Sequence, residues 1–183
     1  PYTTLFRSDG SRSHPRSRGW PADRLAALRR SELEDAVAIL GATLHWLGQP
    51  DCQARADTDI AHLIPPDAFL LATWQDDPHV DHGAVAALAR RMSRADVALG
   101  FYPIWGRFTD RTARARTILA SPEARQAKRR ALSCHRSQMT RLIDDDPETQ
   151  LTVEPHRGDL LAGAPTGSGK TLAFLLPILH TLR

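Results

Sequence analysis

The chain has 183 residues, 42% hydrophobic and 25% charged, with a net charge of +3, ordinary values for a globular protein with room for a real core. No apolar run approaches the roughly 20 residues that a membrane span needs, and the first residues carry neither Met nor a secretory pattern. Two cysteines, Cys52 and Cys134, exclude a disulfide framework and suit a cytoplasmic location.

In chain order, residues 1–8 (PYTTLFRS) neither match nor prepare the pattern after them. They resemble the translation of a common sequencing-adapter oligonucleotide and are expected to stand outside the fold, as a scar would. The Ser- and Arg-rich stretch 10–19 reads as a loop. Pro21 opens a helix in which Leu25, Leu28, Leu33, Val37 and Leu40 recur at helical spacing, with Gly41 as its stop. A short strand over 43–47 and a short helix over 57–64 follow, the latter closed by Pro65 and Pro66. Residues 68–73 form an apolar run of buried-strand length that leads into the segment 76–82. Val85, Leu88, Ala89 and Met92 mark a helix beginning just after His82, and 96–104 reads as another buried strand. Pro122 opens a helix that runs to about Met139 or Leu142. The alternation predicts an α/β fold with a mainly parallel sheet covered by helices. Functional loops of such sheets lie beyond the carboxyl ends of the strands, where 76–82 falls.

Charge is unevenly spread. Ten Lys/Arg stand against two acids between residues 107 and 141, and Asp144, Asp145, Asp146 and Glu148 follow. A phosphate or nucleic-acid partner suits the basic stretch, and so does a plain solvated helix face. Only Lys128 and Lys170 are lysines, and arginine dominance with abundant Ala is what a GC-rich genome encodes, so basicity alone says little about nucleic acid.

The densest set of chemical groups is Asp76-Asp77-Pro78-His79-Val80-Asp81-His82. Zinc hydrolysis needs a metal-activated water, a group to handle its proton and a stabiliser of the oxyanion. Here His82 can offer a ring nitrogen to the metal, Asp81 can orient an imidazole, and His79 can face developing negative charge as an imidazolium. On spacing alone the same residues also serve as a loop network or a helix cap.

Residues 74–82 resemble the second metal motif of the PIG-L (LmbE-like) family of zinc-dependent N-deacetylases. Asp9-Gly10, Ser13-His14-Pro15, residues 25–33, Gly41, Leu47-Gly48, Tyr102-Pro103-Ile104-Trp105 and His135-Arg136-Ser137-Gln138 follow in the family's order, so the resemblance spans about 9–155. It implies a Rossmann-like fold and hydrolytic removal of acetate from an N-acetylated amino sugar, glycoconjugate or related amide. It makes His82 a Zn²⁺ ligand, His79 the charged residue at the tetrahedral intermediate, and Asp81 an orienting residue. Asp77 and Arg29 become neighbours of the substrate pocket. Val80 stands where the family usually has Pro. The family's first motif, which brings two zinc ligands and the general-base carboxylate, is expected before Asp9 and is not found there. Arg16 and Ser17 deny that role to His14-Pro15. The expectation is a sheet incomplete at its N-terminus and an inactive chain.

A second signature belongs to different chemistry. In Thr166-Gly167-Ser168-Gly169-Lys170-Thr171 the glycines Gly167 and Gly169, with Ser168, let backbone N–H groups reach phosphate oxygens. Lys170 reaches the β/γ oxygens and Thr171 can hold Mg²⁺. A strand over 159–163 and a helix over 172–182 supply the context. With Ala164 in place of the Gly of a strict phosphate loop, residues 157–183 resemble motif I of DEAD-box RNA helicases, which implies ATP with Mg²⁺ and RNA as ligands. The expected organisation is therefore an adapter-like start (1–8), a deacetylase-like domain (9–155) and a helicase-like piece (157–183). That pattern suits a chimeric reading frame. The alternatives are an ATP-binding helicase fragment and a product with no selected function.

Overall fold

The structure, a computed structural model, describes residues 2–104, 119–146, 152–155 and 160–163, with side chains for 8–104 and 119–146. The chain is α/β and divides into two compact units, one made of 1–51 with 118–183 and the other of 52–117.

In the first unit, β1 (Tyr2–Ser8) and β2 (Ala42–Gln49) pair in parallel. Tyr2 faces Ala42 and Phe6 faces Trp46, with an irregularity before Ser8 opposite Gln49. A parallel pair needs a crossover, and α1 (Ala22–Ile39) provides it. Its residues Leu25, Leu33, Ala36 and Val37 repeat at helical spacing and are buried. Gly41 ends it at φ +63°, the left-handed turn that glycine adopts without a Cβ clash, with its N–H on the carbonyl of Ala38. The next helix of this unit, α3 (Pro122–Cys134), starts where the Ser121 hydroxyl accepts the Ala124 N–H at 3.2 Å, with Pro122 at the first helical position. Leu33, Ala36 and Val37 of α1 pack with Ala131 of α3, and Leu40, Ala42, Leu44, Trp46 and Cys134 lie against them. Full burial of Leu33 or Val37 contributes about 2 kcal/mol each.

The opposite face of α3 carries Arg125, Arg129 and Arg130, all exposed. This described part of the basic stretch is a solvated helix face. A short helix, α4 (Arg136–Met139), follows His135. The acidic run after it holds the N-terminal loop. Asp145 accepts the N–H groups of Arg18 and Gly19 and the Ser17 hydroxyl, and Asp146 accepts the backbone and side chain of Arg16.

In the second unit, a single 3₁₀ turn (Ala61–Leu63) precedes β3 (Phe69–Thr73), α2 (Val80–Arg91) and β4 (Ala98–Tyr102). β3 and β4 pair in parallel from Phe69 opposite Ala98 to Thr73 opposite Tyr102, and the Trp74 N–H extends the ladder to the Tyr102 carbonyl. This is again a strand–helix–strand crossover. Ala86, Leu88 and Ala89 of α2 are buried, together with Ala72, Val97, Tyr102 and Ile104.

Several expectations change. Residues 2–8, set outside the fold on sequence grounds, form β1; Tyr2, Thr3, Thr4, Leu5 and Phe6 are good strand formers. The helix expected over 57–64 shrinks to the 3₁₀ turn, because Asp59 caps the Ala61 N–H and the polar run 57–59 favours turns. α2 begins at Val80, so Asp81 and His82 lie inside its first turn. The helix from Pro122 ends at Cys134, and α4 continues only to Met139. Among the described residues the strands form three separate two-stranded ladders, the third being antiparallel, between β5 (Thr152–Pro155) and β6 (Leu160–Gly163). β6 matches the strand expected before the phosphate loop, while Gly167, Ser168, Gly169, Lys170, Thr171 and the helix over 172–182 lie outside the described residues.

Candidate functional site

β3 ends at Thr73, and the loop after it turns through Asp77, whose N–H meets the Trp74 carbonyl at 3.2 Å. His79, extended at φ −99° and ψ 131°, caps α2: its Nδ1 accepts the Asp81 N–H at 3.1 Å. A ring nitrogen that accepts carries no hydrogen, so the cap uses the His79 tautomer with its hydrogen on Nε2. From sequence an imidazolium is expected here. Protonating Nδ1 would remove the acceptor that α2 uses.

Asp77 meets one of the two imidazoles directly. Oδ1 of Asp77 lies 2.7 Å from Nδ1 of His82, with the Asp77 side chain fully buried and that of His82 10% exposed. Oδ2 takes the Ile104 N–H at 2.7 Å. An ionised carboxylate can only accept, so Nδ1 of His82 carries the hydrogen, and in the neutral ring the lone pair is on Nε2. The Thr73 hydroxyl donates to the His82 carbonyl at 2.8 Å, which ties the first turn of α2 to the end of β3. The rings of His79 and His82 lie 4.7 Å apart, centre to centre.

Asp81 works on a different segment. Its Oδ2 accepts the Cys52 N–H and its Oδ1 the Ala54 N–H, each at 3.0 Å. It therefore holds the loop at 52–54. That loop carries Cys52 at φ +62°. Cys52, His79 and Asp81 each present a donor atom within 4.8 Å of the others. Sequence reasoning misses Cys52, since nothing in a lone cysteine between Asp51 and Gln53 signals such a neighbour.

Zinc, which the resemblance implies, fits these residues only in part. The Asp77–His82 pair is the arrangement that holds a metal-facing imidazole in its tautomer. Among the described residues, however, no group of three or more His, Cys, Asp or Glu donors includes His82. The described residues do not assemble a three-donor set around His82.

Arg29, expected beside the substrate pocket, belongs to the first unit. It is buried and donates Nη1 to the Gly10 carbonyl. Burial lowers its pKa to about 10, against the raising effect of Glu32, Asp51 and Asp9. Glu32, one turn along, accepts both the N–H (2.7 Å) and the hydroxyl (2.6 Å) of Ser137, and burial raises its pKa. His135 is buried, with no hydrogen-bond partner at either ring nitrogen among the described residues, and burial and the Arg29 charge lower its pKa to about 4. His14, also buried, has Nδ1 2.9 Å from the Ser13 hydroxyl.

The family model described as PIG-L, GlcNAc-PI de-N-acetylase, matches residues 2–93, just over half of the chain. The DEAD/DEAH box helicase model matches residues 148–183, beginning upstream of the boundary near 157 read from the sequence. No curated protein matches the sequence. Among solved structures, the chain is similar to the conserved protein TT1542 from Thermus thermophilus, with 22% identity and a TM-score of 0.46 over 74% of this chain. The match takes in 66% of the other protein, so this chain spans just under two thirds of that length.

Proposed function

The chain belongs to the PIG-L family of GlcNAc-PI de-N-acetylases, and from that premise we propose that it hydrolyses the acetamide of an N-acetylated amino sugar, or of a related small molecule or glycoconjugate. The observation that carries this reading is the pair Asp77–His82 at the start of α2, with the ring of His79 alongside. His82, held by Asp77 with its lone pair on Nε2, is the residue that would face Zn²⁺. His79, with hydrogen on Nε2, donates to the acetyl oxygen as it gains charge. Asp81 acts by holding the loop at 52–54, and Asp77 by holding His82. The products are acetate and a free amine. A cytoplasmic setting suits two cysteines that are both free thiols. No helix of the described residues is long and apolar enough to cross a membrane.

The test is acetate and amine release from N-acetylglucosamine conjugates by the 183-residue chain supplied with zinc. Release above buffer that disappears in His82→Ala supports the reading. Release that is equal in the variant, or absent from the parent chain, overturns it.

A second reading rests on the helicase-model match at 148–183. In it Gly167, Ser168, Gly169, Lys170 and Thr171 hold the phosphates of ATP with Mg²⁺, and RNA is the partner. Nucleotide binding that vanishes in Lys170→Ala, together with salt-sensitive RNA affinity, would favour it. Retention of ATP by that variant would remove it.

A further inference from the structure

We infer that Cys52, His79 and Asp81 form a binding site for a thiophilic divalent cation of the zinc class. The three donors are a thiol, an imidazole and a carboxylate, the set that Zn²⁺ and Co²⁺ prefer over Mg²⁺ or Ca²⁺. Their donor atoms lie within 4.8 Å of one another. Tetrahedral zinc places such donors roughly 3 to 4 Å apart, so closure asks for a small inward movement. Cys52 can supply it, because it is exposed whereas His79 and Asp81 are buried.

The frame is built before any cation arrives. Asp81 accepts the N–H groups of Cys52 and Ala54, which holds the thiol-bearing residue beside the carboxylate. His79 is fixed by its cap on the Asp81 N–H. Each carboxylate oxygen has a second lone pair with which to meet a cation. On binding, the thiol proton leaves to solvent, the sulfur coordinates as thiolate, and His79 gives up its cap on the Asp81 N–H so that a ring nitrogen offers its lone pair to the cation.

This site is distinct from a zinc centred on His82, which the deacetylase reading uses and which the described donors do not complete.

The experiment is a cobalt(II) titration of the reduced 183-residue chain, read by the thiolate-to-cobalt charge-transfer band in the near ultraviolet. The expected result is a saturable band at one cobalt per chain in the parent and in Cys134→Ser, bleached by zinc and absent from Cys52→Ser. Cys52→Gly is the folding control: glycine suits φ +62°, so this variant keeps its circular dichroism and also lacks the band. His79→Asn, which retains a capping side chain, is expected to weaken cobalt binding on the order of tenfold or more. No band in the parent, a band that survives in Cys52→Ser, or one lost in Cys134→Ser overturns the proposal. None of these outcomes bears on hydrolysis that depends on His82, so the two readings fail separately.

Discussion

One carboxylate, that of Asp77, bridges the ring of His82 and the backbone N–H of Ile104 at 2.7 Å each. Both of its oxygens are committed, and each commitment sets the other. Because Oδ2 must face a fixed N–H, Oδ1 faces the imidazole and dictates which nitrogen is protonated.

Asp77→Asn tests that coupling. Its carbonyl oxygen must stay on the Ile104 N–H, so its NH₂ group meets Nδ1 of His82. The ring is then expected to switch to the tautomer with hydrogen on Nε2, which has no lone pair there for a metal. Imidazole ¹⁵N chemical shifts read the tautomer directly. Unchanged His82 shifts in a folded Asp77→Asn variant would show that Asp77 does not set it.

His79 has two separable duties, capping α2 and presenting an imidazole. His79→Ala is expected to lose about 1 kcal/mol of stability through the cap. His79→Asn, a good cap, is expected to keep most of that stability while losing the proposed acetyl-oxygen donor. Urea unfolding gives the first quantity and acetate release the second. Equal stabilities for the two variants would remove the capping role.

Asp81→Ala leaves the N–H groups of Cys52 and Ala54 without their charged acceptor. Two charge-assisted hydrogen bonds at about 1.5 kcal/mol or more each amount to a loss of roughly 3 kcal/mol. Hydrogen exchange at Cys52 and Ala54 is expected to accelerate well ahead of exchange in β3. If those two amides keep their protection, another group holds the loop.

His135 makes stability depend on pH. An unfolded histidine binds its proton at about 6.5, whereas the buried ring resists until about 4. Between these values the unfolded state holds more protons, so stability falls as pH drops from 6.5 to 4 and the loss is complete below that. The full effect is about 3 kcal/mol. Glu32, raised by burial, works in the opposite direction, so the informative quantity is the parent minus His135→Leu. That difference is expected to shrink by about 3 kcal/mol between about pH 7 and pH 4 in denaturant titrations. A difference independent of pH would show that the ring is accessible to protons in the fold.

Much of the fold is legible in the sequence because apolar spacing and terminators agree. α1 runs between Pro21 and Gly41 as read, and β3 and β4 fall inside the apolar runs 68–73 and 96–104. The sequence places His79, Asp81 and His82 on one segment, and it allows them a capping role, which His79 fills. The partner of each group is not legible. Asp77 and Asp81 are both carboxylates near both histidines, and only the turn geometry decides that Asp77 reaches His82 while Asp81 reaches Cys52 and Ala54. The acidic run 144–146 likewise shows its role only once the fold brings it back to residues 16–19. β1 is missed when the adapter-like origin of its residues, rather than their strand-forming side chains, guides the expectation.

The first unit is discontinuous, since residues 52–117 interrupt it, whereas the second is one unbroken stretch. During synthesis, Leu33, Ala36 and Val37 leave the ribosome nearly a hundred residues before Ala131 arrives to cover them. At the usual rate of about 5–20 residues per second, that gap lasts several seconds at least. The inserted stretch can complete its own strand–helix–strand in that interval, so order of emergence and order of consolidation part company. Chaperone demand in this chain should accordingly concentrate on the waiting apolar side of α1.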